Sequence, residues 1–461
     1  MKKTFSALLT STLISINCLA STEPANVILI IGDGMDDQQI TIARNYLKGA
    51  QGSLSLDQMP VRGAVQVLTV HNDDPDKPMY VADSANSATS LATGVITSRT
   101  RISTTAKTDQ DIPTIIELAQ QAGLKTGIVS TASVTDATPA AFVAHVSRRF
   151  CENPSMMVDG LIHGHFPVDC KDDVKAAGGL GSIAEQIADS DVDVVLGGGY
   201  KHFDMAAEAE TKTVLERAKD NGFQLLTQAS QLNQAPSDKK LLGLFSPSTM
   251  PIKLRGENGR IAEQPKKSWL NYIYKYLGSI TNPEPMICEA NPDFEAVPTL
   301  AAMTSTAIKY LDNDKGFFLM IESASIDKAS HARNPCGSIG ELDQLNEALD
   351  YALAFAEKSP NTLVMVTADH GQAAQMIPEV SMFADPAFGS FPAASPGVMA
   401  RVKTPEGSIM GINYATNESI AEEHTGVNVA IFANEVGRTL IKPMQTQPDI
   451  FTISAKHLGL K

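Results

Sequence analysis

Aromatic residues make up only 6% of the 461-residue chain, with a single tryptophan, which argues against a base-stacking surface for nucleic acid. Positive charge is short too: 37 Lys plus Arg stand against 52 Asp plus Glu, a formal charge of -15. A chain so acidic is a poor binder of a phosphate backbone and docks poorly on anionic lipid. Past the N-terminus no apolar run reaches the roughly 18 residues that suggest a bilayer span. Fixed-period repeats and low-complexity tracts are missing, so solenoids and tail-like segments are set aside. What remains is 43% hydrophobic and 19% charged, enough apolar material for a sizeable core. At about 150 residues per domain the length alone suggests about three domains. The stretches near 247–298 and 377–422, the first rich in Pro, Asn and Lys, read instead as insertions in one catalytic domain spanning 21–461.

The N-terminus reads as a sorting signal. Lys2 and Lys3 precede a mostly apolar stretch, Phe5 to Ile16, and Cys18-Leu19-Ala20 places small residues before a cut after Ala20. Asn17 argues against a lipid anchor on Cys18. The expected product is an exported chain without a membrane segment. Four cysteines then remain: Cys151, Cys170, Cys288 and Cys336. They allow three pairings, of which nearest-neighbour pairing is the simplest. Each bridge is worth ~3–4 kcal/mol through restriction of the unfolded chain.

Several unbroken β-type runs stop at polar residues. Val27 to Ile31 ends at Gly32-Asp33-Gly34, Phe317 to Ile321 at Glu322, and Leu363 to Val366 just before Asp369-His370-Gly371. Thr126 to Val129 and Val192 to Leu196 are similar runs. Runs without polar alternation mark strands buried on both faces. Helical patterns, such as Ile112 to Gln121 and Gly340 to Lys358, separate them. The expected fold is α/β, a three-layer α/β/α sandwich with a mostly parallel central sheet. Ligands of such sheets bind beyond the carboxyl ends of the strands. One carboxylate at a strand end is usually a helix cap. Asp33, Glu322 and Asp369 together, the last beside His370, favour a shared metal site.

Asp327 and His331 add an i, i+4 pair if the chain turns helical after the strand, and His424 sits in Glu422-Glu423-His424-Thr425-Gly426. Imidazole and carboxylate without thiolate suit zinc in a hydrolytic site, and oxygen-only positions suit magnesium. His163 and His165 read as surface loop residues, and His145 as a structural residue on a packed helix. Ser84 opens a small-residue helical stretch from Asp83 to Leu91. It is either an N-cap or a nucleophile favoured by the helix dipole. No Gly-x-Ser-x-Gly elbow surrounds it and no histidine stands near it in sequence, so activation would fall to a metal.

Jointly these segments resemble bacterial periplasmic alkaline phosphatases. The blocks that carry the resemblance are Ile30 to Met35, Asp83-Ser84-Ala85, Asp136 to Ala141, and His145 to Arg149. Ala324 to Lys328, His331, Asn334 to Gly337, Thr367 to His370 and Glu423 to Gly426 complete them. The resemblance implies hydrolysis of phosphate monoesters through a phosphoserine on Ser84, with two zinc ions and one magnesium ion. It implies Asp327, His331 and His424 on one zinc, and Asp33, Asp369 and His370 on the other. Asp33, Thr138 and Glu322 match the magnesium set, Arg149 the phosphate-binding arginine, and Asp136 and Lys328 residues that tune both. It also implies pairing of Cys151 with Cys170 and Cys288 with Cys336, a periplasmic location and a homodimer. Only Ser21 to Ala25 separate the expected cut from the first strand, so the dimer contact made by the long N-terminal arm of the best-known members is expected to be lacking. A serine nucleophile with a magnesium set counts against a two-zinc phosphodiesterase, and Ser84 with Arg149 counts against a non-catalytic metal binder.

Overall fold

The computed structural model describes residues 23–460 except 163, 235, 237, 275–277 and 381–394. The sorting signal and His163 lie outside the described residues. Ten strands form the main sheet: β1 (Ala25–Gly32), β2 (Val61–Gln66), β3 (Lys125–Ser133), β4 (Val194–Gly198), β5 (Phe223–Leu226), β6 (Lys240–Leu244), β7 (Gly316–Ser323), β8 (Thr362–Ala368), β9 (Val429–Ala433) and β10 (Met444–Thr446). Their spatial order is β10-β2-β9-β8-β1-β7-β3-β4-β6-β5. Only β9 runs antiparallel to its neighbours, β8 and β2; the other pairs are parallel. Val27 to Ile31 and Phe317 to Ile321 are at most 1% exposed, as their lack of alternation requires.

The helices used below are α1 (Asp37–Lys48), α2 (Ser84–Thr93), α3 (Ile115–Gln121), α4 (Ala137–Ala140), α5 (Leu300–Leu311), α6 (Ser325–His331), α7 (Pro335–Ala356) and α8 (Gln447–His457). α1, α5, α6 and α7 pack together on one side of the sheet, and α2, α3, α4 and α8 lie on the other. This is the three-layer sandwich. Every residue of α2 is buried, which its Ser, Ala and Thr side chains permit because they are small enough to fit under α8. His145 is not helical: α4 ends at Ala140, and Ile102 and Val146 exchange backbone hydrogen bonds of 3.1 Å that draw the chain into a bridge. Its ring is buried between the Ser103 carbonyl and Glu117.

Within 247–298, Leu254–Gly256 pairs with Cys288–Ala290 and Lys266–Lys267 with Ile280–Thr281. Farther on, Gln375–Ile377, Val398–Lys403 and Ile409–Tyr414 make a three-stranded antiparallel sheet. Bridges from Glu263 to Met399 and from Met286 to Val402 join the two excursions. Cys288 is bonded to Cys336 at the start of α7, and Cys151 to Cys170. Among the described residues no helix is long and apolar enough to cross a membrane.

Glu341 on α7 is wholly buried, and its carboxyl accepts from the Lys253 amide at 3.2 Å, Gln344 Nε2 at 2.8 Å and Thr131 Oγ1 at 3.3 Å. Burial outweighs these bonds and pushes its pKa from 4.5 up to about 7. The unfolded chain then loses the proton at lower pH than the folded one. The folded state is penalised as pH rises through that window and carries the whole penalty above it. A shift of this size is worth about 3 kcal/mol. Glu341→Gln is therefore expected to stabilise the protein by up to about 3 kcal/mol at pH 8 and to change little at pH 4.5, read from denaturant midpoints at the two pH values.

Candidate active site

Four adjacent strands, β8, β1, β7 and β3, deliver the site at their carboxyl ends. Gly32 of β1 lies level with Ser323 of β7 and Ala368 of β8, and Glu322 of β7 with Ser130 of β3. Asp33 and Asp369 therefore emerge side by side, next to Glu322. Gly34 follows with φ +67°, and a Cβ there would meet side-chain carbons of Gln372 and Asp327 at 3.0 and 3.1 Å. Only glycine turns the chain this close behind Asp33. Its amide and that of His370 donate to Asp369 Oδ1 at 3.0 and 2.8 Å.

Ser84 opens α2, with Asp83 as N-cap, and is 2% exposed. Its Oγ lies 3.1 Å from His370 Nε2 and 3.5 Å from Asp33 Oδ1. The fold thus supplies the neighbouring histidine that the sequence does not show. His370 Nε2 is 3.3 Å from both Asp33 Oδ1 and Asp369 Oδ2. Gly371–Gln372 pairs antiparallel with His424–Thr425, which stacks the His424 ring on His370 at 3.7 Å. On α6, Asp327 and His331 fall on one face, with Asp327 Oδ2 3.2 Å from His331 Nε2. His424 Nε2 is 3.0 Å from His331 Nε2 and 3.4 Å from Asp327 Oδ1.

All three imidazoles turn Nδ1 to a backbone carbonyl: His331 to Glu422, His370 to Gly371 and His424 to Ala82. With Nδ1 turned to a carbonyl, Nε2 of each ring faces into the cluster, the arrangement of metal-binding histidines. The carboxylates are strained by one another. Burial, then Asp369, Asp327 and Glu322, push Asp33 well above the usual carboxylate range. Burial raises Asp369 to about 6 and Glu322 to about 7. Burial resists charge on Asp327, yet His331 and His424 hold it well below its ordinary value. Burial likewise opposes charge on His424, but Asp327 lifts that imidazole to about 9. Burial and His424 press His370 well down.

The donor set fits divalent ions. Ligand atoms of Asp33, Asp369 and His370 lie within 4.8 Å of one another, as do those of Asp327, His370 and His424. Asp369 Oδ2 and the Thr138 hydroxyl are buried without a hydrogen-bond partner. Both are oxygens that a hard cation satisfies. Glu322 accepts from Ser130 Oγ. Beside them Arg149 Nη2 donates to Asp136 Oδ1 at 2.9 Å, Arg149 Nη1 lies 3.6 Å from Asp83 Oδ2, and Lys328 pairs with Asp136 Oδ2. Burial resists charge on Asp136, but Lys328 and Arg149 hold it well below the usual range. Arg148 is exposed.

A family model described as "Alkaline phosphatase" matches residues 24–459. The chain belongs to the alkaline phosphatase family. It is accordingly an enzyme, a phosphoric monoester hydrolase. It is 41% identical to alkaline phosphatase of Escherichia coli (strain K12) over 96% of this chain and 88% of that one. It is 37% identical to streptomycin-6-phosphate phosphatase of Streptomyces griseus, over 95% of this chain and 91% of that one. The solved structure of alkaline phosphatase from the Antarctic bacterium TAB5 shares the fold, with a TM-score of 0.65 at 23% identity, covering 95% of this chain and 99% of that chain.

Several residues at this alkaline phosphatase site escaped the sequence reading. Gln372 Nε2 donates to Asp327 Oδ1 at 2.7 Å, Ser130 holds Glu322, and the Glu422 and Ala82 carbonyls orient two histidines. Backbone carbonyls leave no mark on residue type. Gln372, two residues past His370, was the one detectable hint. Asp33→Asn removes one of the mutually repelling acids. The metal-free variant is expected to be more stable than the metal-free parent, by about 1–2 kcal/mol, while gaining less from added zinc and magnesium. Calorimetry of chelated and reloaded samples measures both differences.

Proposed function

We propose that this alkaline phosphatase hydrolyses phosphate monoesters through a phosphoserine on Ser84, at a site of two zinc ions and one magnesium ion. The observation that carries the reading is the position of Ser84 Oγ, 3.1 Å from His370 Nε2 at the start of α2 and beside two groups of convergent ligand atoms. Asp327, His331 and His424 would hold one zinc, Asp33, Asp369 and His370 the other, and Asp33, Thr138 and Glu322 the magnesium. Bound there, divalent ions supply positive charge that favours a serine alkoxide and a departing alcohol oxygen.

The chain's own residues do the rest. Asp83 fixes the start of α2 by accepting the Asn86 amide at 3.1 Å, which aims Ser84 Oγ out of the helix N-terminus. Ser84 Oγ forms the bond to phosphorus as the ester oxygen leaves from the opposite side. Water then breaks the phosphoserine and inorganic phosphate departs. Arg149 holds two non-bridging oxygens in its planar fork and stays charged throughout the alkaline range. Asp136 sits between Arg149 and Lys328, so it keeps the fork oriented and offsets part of the local positive charge.

In the same reading residues 1–20 are removed on export to the periplasm, and residues 21–461 form one catalytic domain that works as a homodimer. Two disulfides suit an oxidising compartment. The relative named for streptomycin 6-phosphate supports a monoester substrate while leaving the alcohol open.

Ser84→Ala is expected to abolish trapping of labelled phosphoserine at mildly acidic pH while metal content stays near the parental level. Label on a peptide lacking residue 84 would refute the assignment. Arg149→Ala should weaken substrate and inorganic phosphate together by about 1.5–3 kcal/mol, the scale of a lost charge-assisted contact, while Arg148→Ala does little. Inhibition constants for phosphate in the two variants decide which arginine binds the ligand.

A further inference from the structure

Arg333 lies two residues after His331, and Glu422 lies two residues before His424. Glu422 is wholly buried although charged, and Arg333 Nε reaches its Oε2 at 2.7 Å. Arg333 holds the left-handed backbone conformation, φ +55°, that only a few per cent of non-glycine residues adopt. Its remaining guanidinium nitrogens donate to the Ser419 carbonyl at 2.9 Å and the Ile420 carbonyl at 3.3 Å. The other carboxylate oxygen of Glu422 accepts from the Thr416 amide and hydroxyl. The main chain of Glu422 meets the first histidine twice: its amide donates to the His331 carbonyl at 3.0 Å, and its carbonyl accepts from His331 Nδ1.

We propose that Arg333 and Glu422 are a positioning pair that sets the His331–His424 pincer for a divalent ion, an inference resting on the ligand assignment above. The segment after α6 and the segment before His424 are far apart in sequence, and this ion pair ties them at matched distances from the two imidazoles. The tie keeps the Glu422 carbonyl on His331 Nδ1. That bond fixes the tautomer and leaves Nε2 facing His424 Nε2 at 3.0 Å. A buried ion pair adds little net stability compared with apolar side chains of similar size. Its contribution here lies in the orientation of the imidazoles.

The test uses the mature chain carrying Arg333→Ala, Arg333→Lys, Glu422→Gln or, as reference, His331→Ala. Metal content is measured after dialysis at graded free zinc, together with the zinc concentration that half-reactivates the stripped enzyme. Arg333→Ala and Glu422→Gln should lose one ion where the parent keeps its full complement. Their half-reactivating zinc concentration should rise by about 10–100-fold, the usual cost of losing a partner that orients a ligand. Arg333→Lys, which keeps the charge but not the fork, should shift less. Saturating zinc should restore kcat at an unchanged KM, even though each stripped variant melts below the stripped parent because it leaves a buried partner unpaired. If Arg333→Ala keeps its ions at parental zinc while His331→Ala loses one, the positioning role is overturned and the ligand assignment stands. Should His331→Ala also keep every ion, the ligand assignment itself fails. An Arg333→Ala variant whose kcat stays beyond rescue by zinc would reduce the pair to a structural contact and overturn the proposal.

Discussion

Four carboxylates, Asp33, Glu322, Asp327 and Asp369, are buried within one cluster, and the rest of the site is arranged around the cost of keeping them there. Each would prefer water, and each raises the energy of charging the next. Asp33 bears the largest share, with Asp369, Asp327 and Glu322 all acting on it. A packed apolar sheet can tolerate such a group only if positive charge is brought to it. Lys328 supplies part of that charge and is itself tied to Asp136. Divalent ions are the natural complement, and the two orphaned oxygens, Asp369 Oδ2 and Thr138 Oγ1, are where such a complement has most to satisfy.

The sheet makes the cluster by register. Because β8, β1 and β7 run parallel and in step, their last residues come level, and the next residue of each chain segment projects from the same edge. Imidazoles then enter from three directions: the turn after β8, helix α6, and the short ladder that sets Gln372 opposite His424. Their Nδ1 atoms are taken by carbonyls of three different segments, so each ring is oriented by a backbone group, and for His331 that group belongs to the residue paired with Arg333.

Much of the scaffold was legible because it rests on local signals. The unbroken runs at Val27 and Phe317 mark doubly covered strands, and Asp327 with His331 four residues on marks one helical face. β9 was not legible as the lone antiparallel strand, because strand direction depends on the whole connection from β8 and not on Val429 to Ala433. His145 was misplaced on a helix because its alanine-rich approach favours one, while the bridge between Ile102 and Val146 wins. The convergence of Ser84 with His370, 286 residues apart, has no local signal at all. Resemblance to a family placed those residues together where residue spacing had none to offer. Arg333 and Glu422 lay outside that help, since the resemblance assigned neither a role.

The two flanks of the site are held differently, and under the proposed assignment this would separate metal retention from phosphate affinity. The carboxylate flank is built on strand ends and on α6, which pack into the main core. The arginine flank is a loop: the Arg149 amide donates to the Thr100 carbonyl at 2.6 Å, and the Cys151–Cys170 bond closes the chain behind it. The Arg149 fork is nevertheless restrained at its tip, by Asp136 and by Asp83, which also caps the helix that presents Ser84. Asp83 therefore couples Ser84 to Arg149, the proposed nucleophile and phosphate-binding arginine, without touching any of the proposed ligands. A change that loosens the loop moves the fork while leaving the carboxylate cluster in register. A change in the strand register moves the clustered carboxylates and Ser84's neighbours together, because Asp33 belongs to both and His370 follows Asp369 directly.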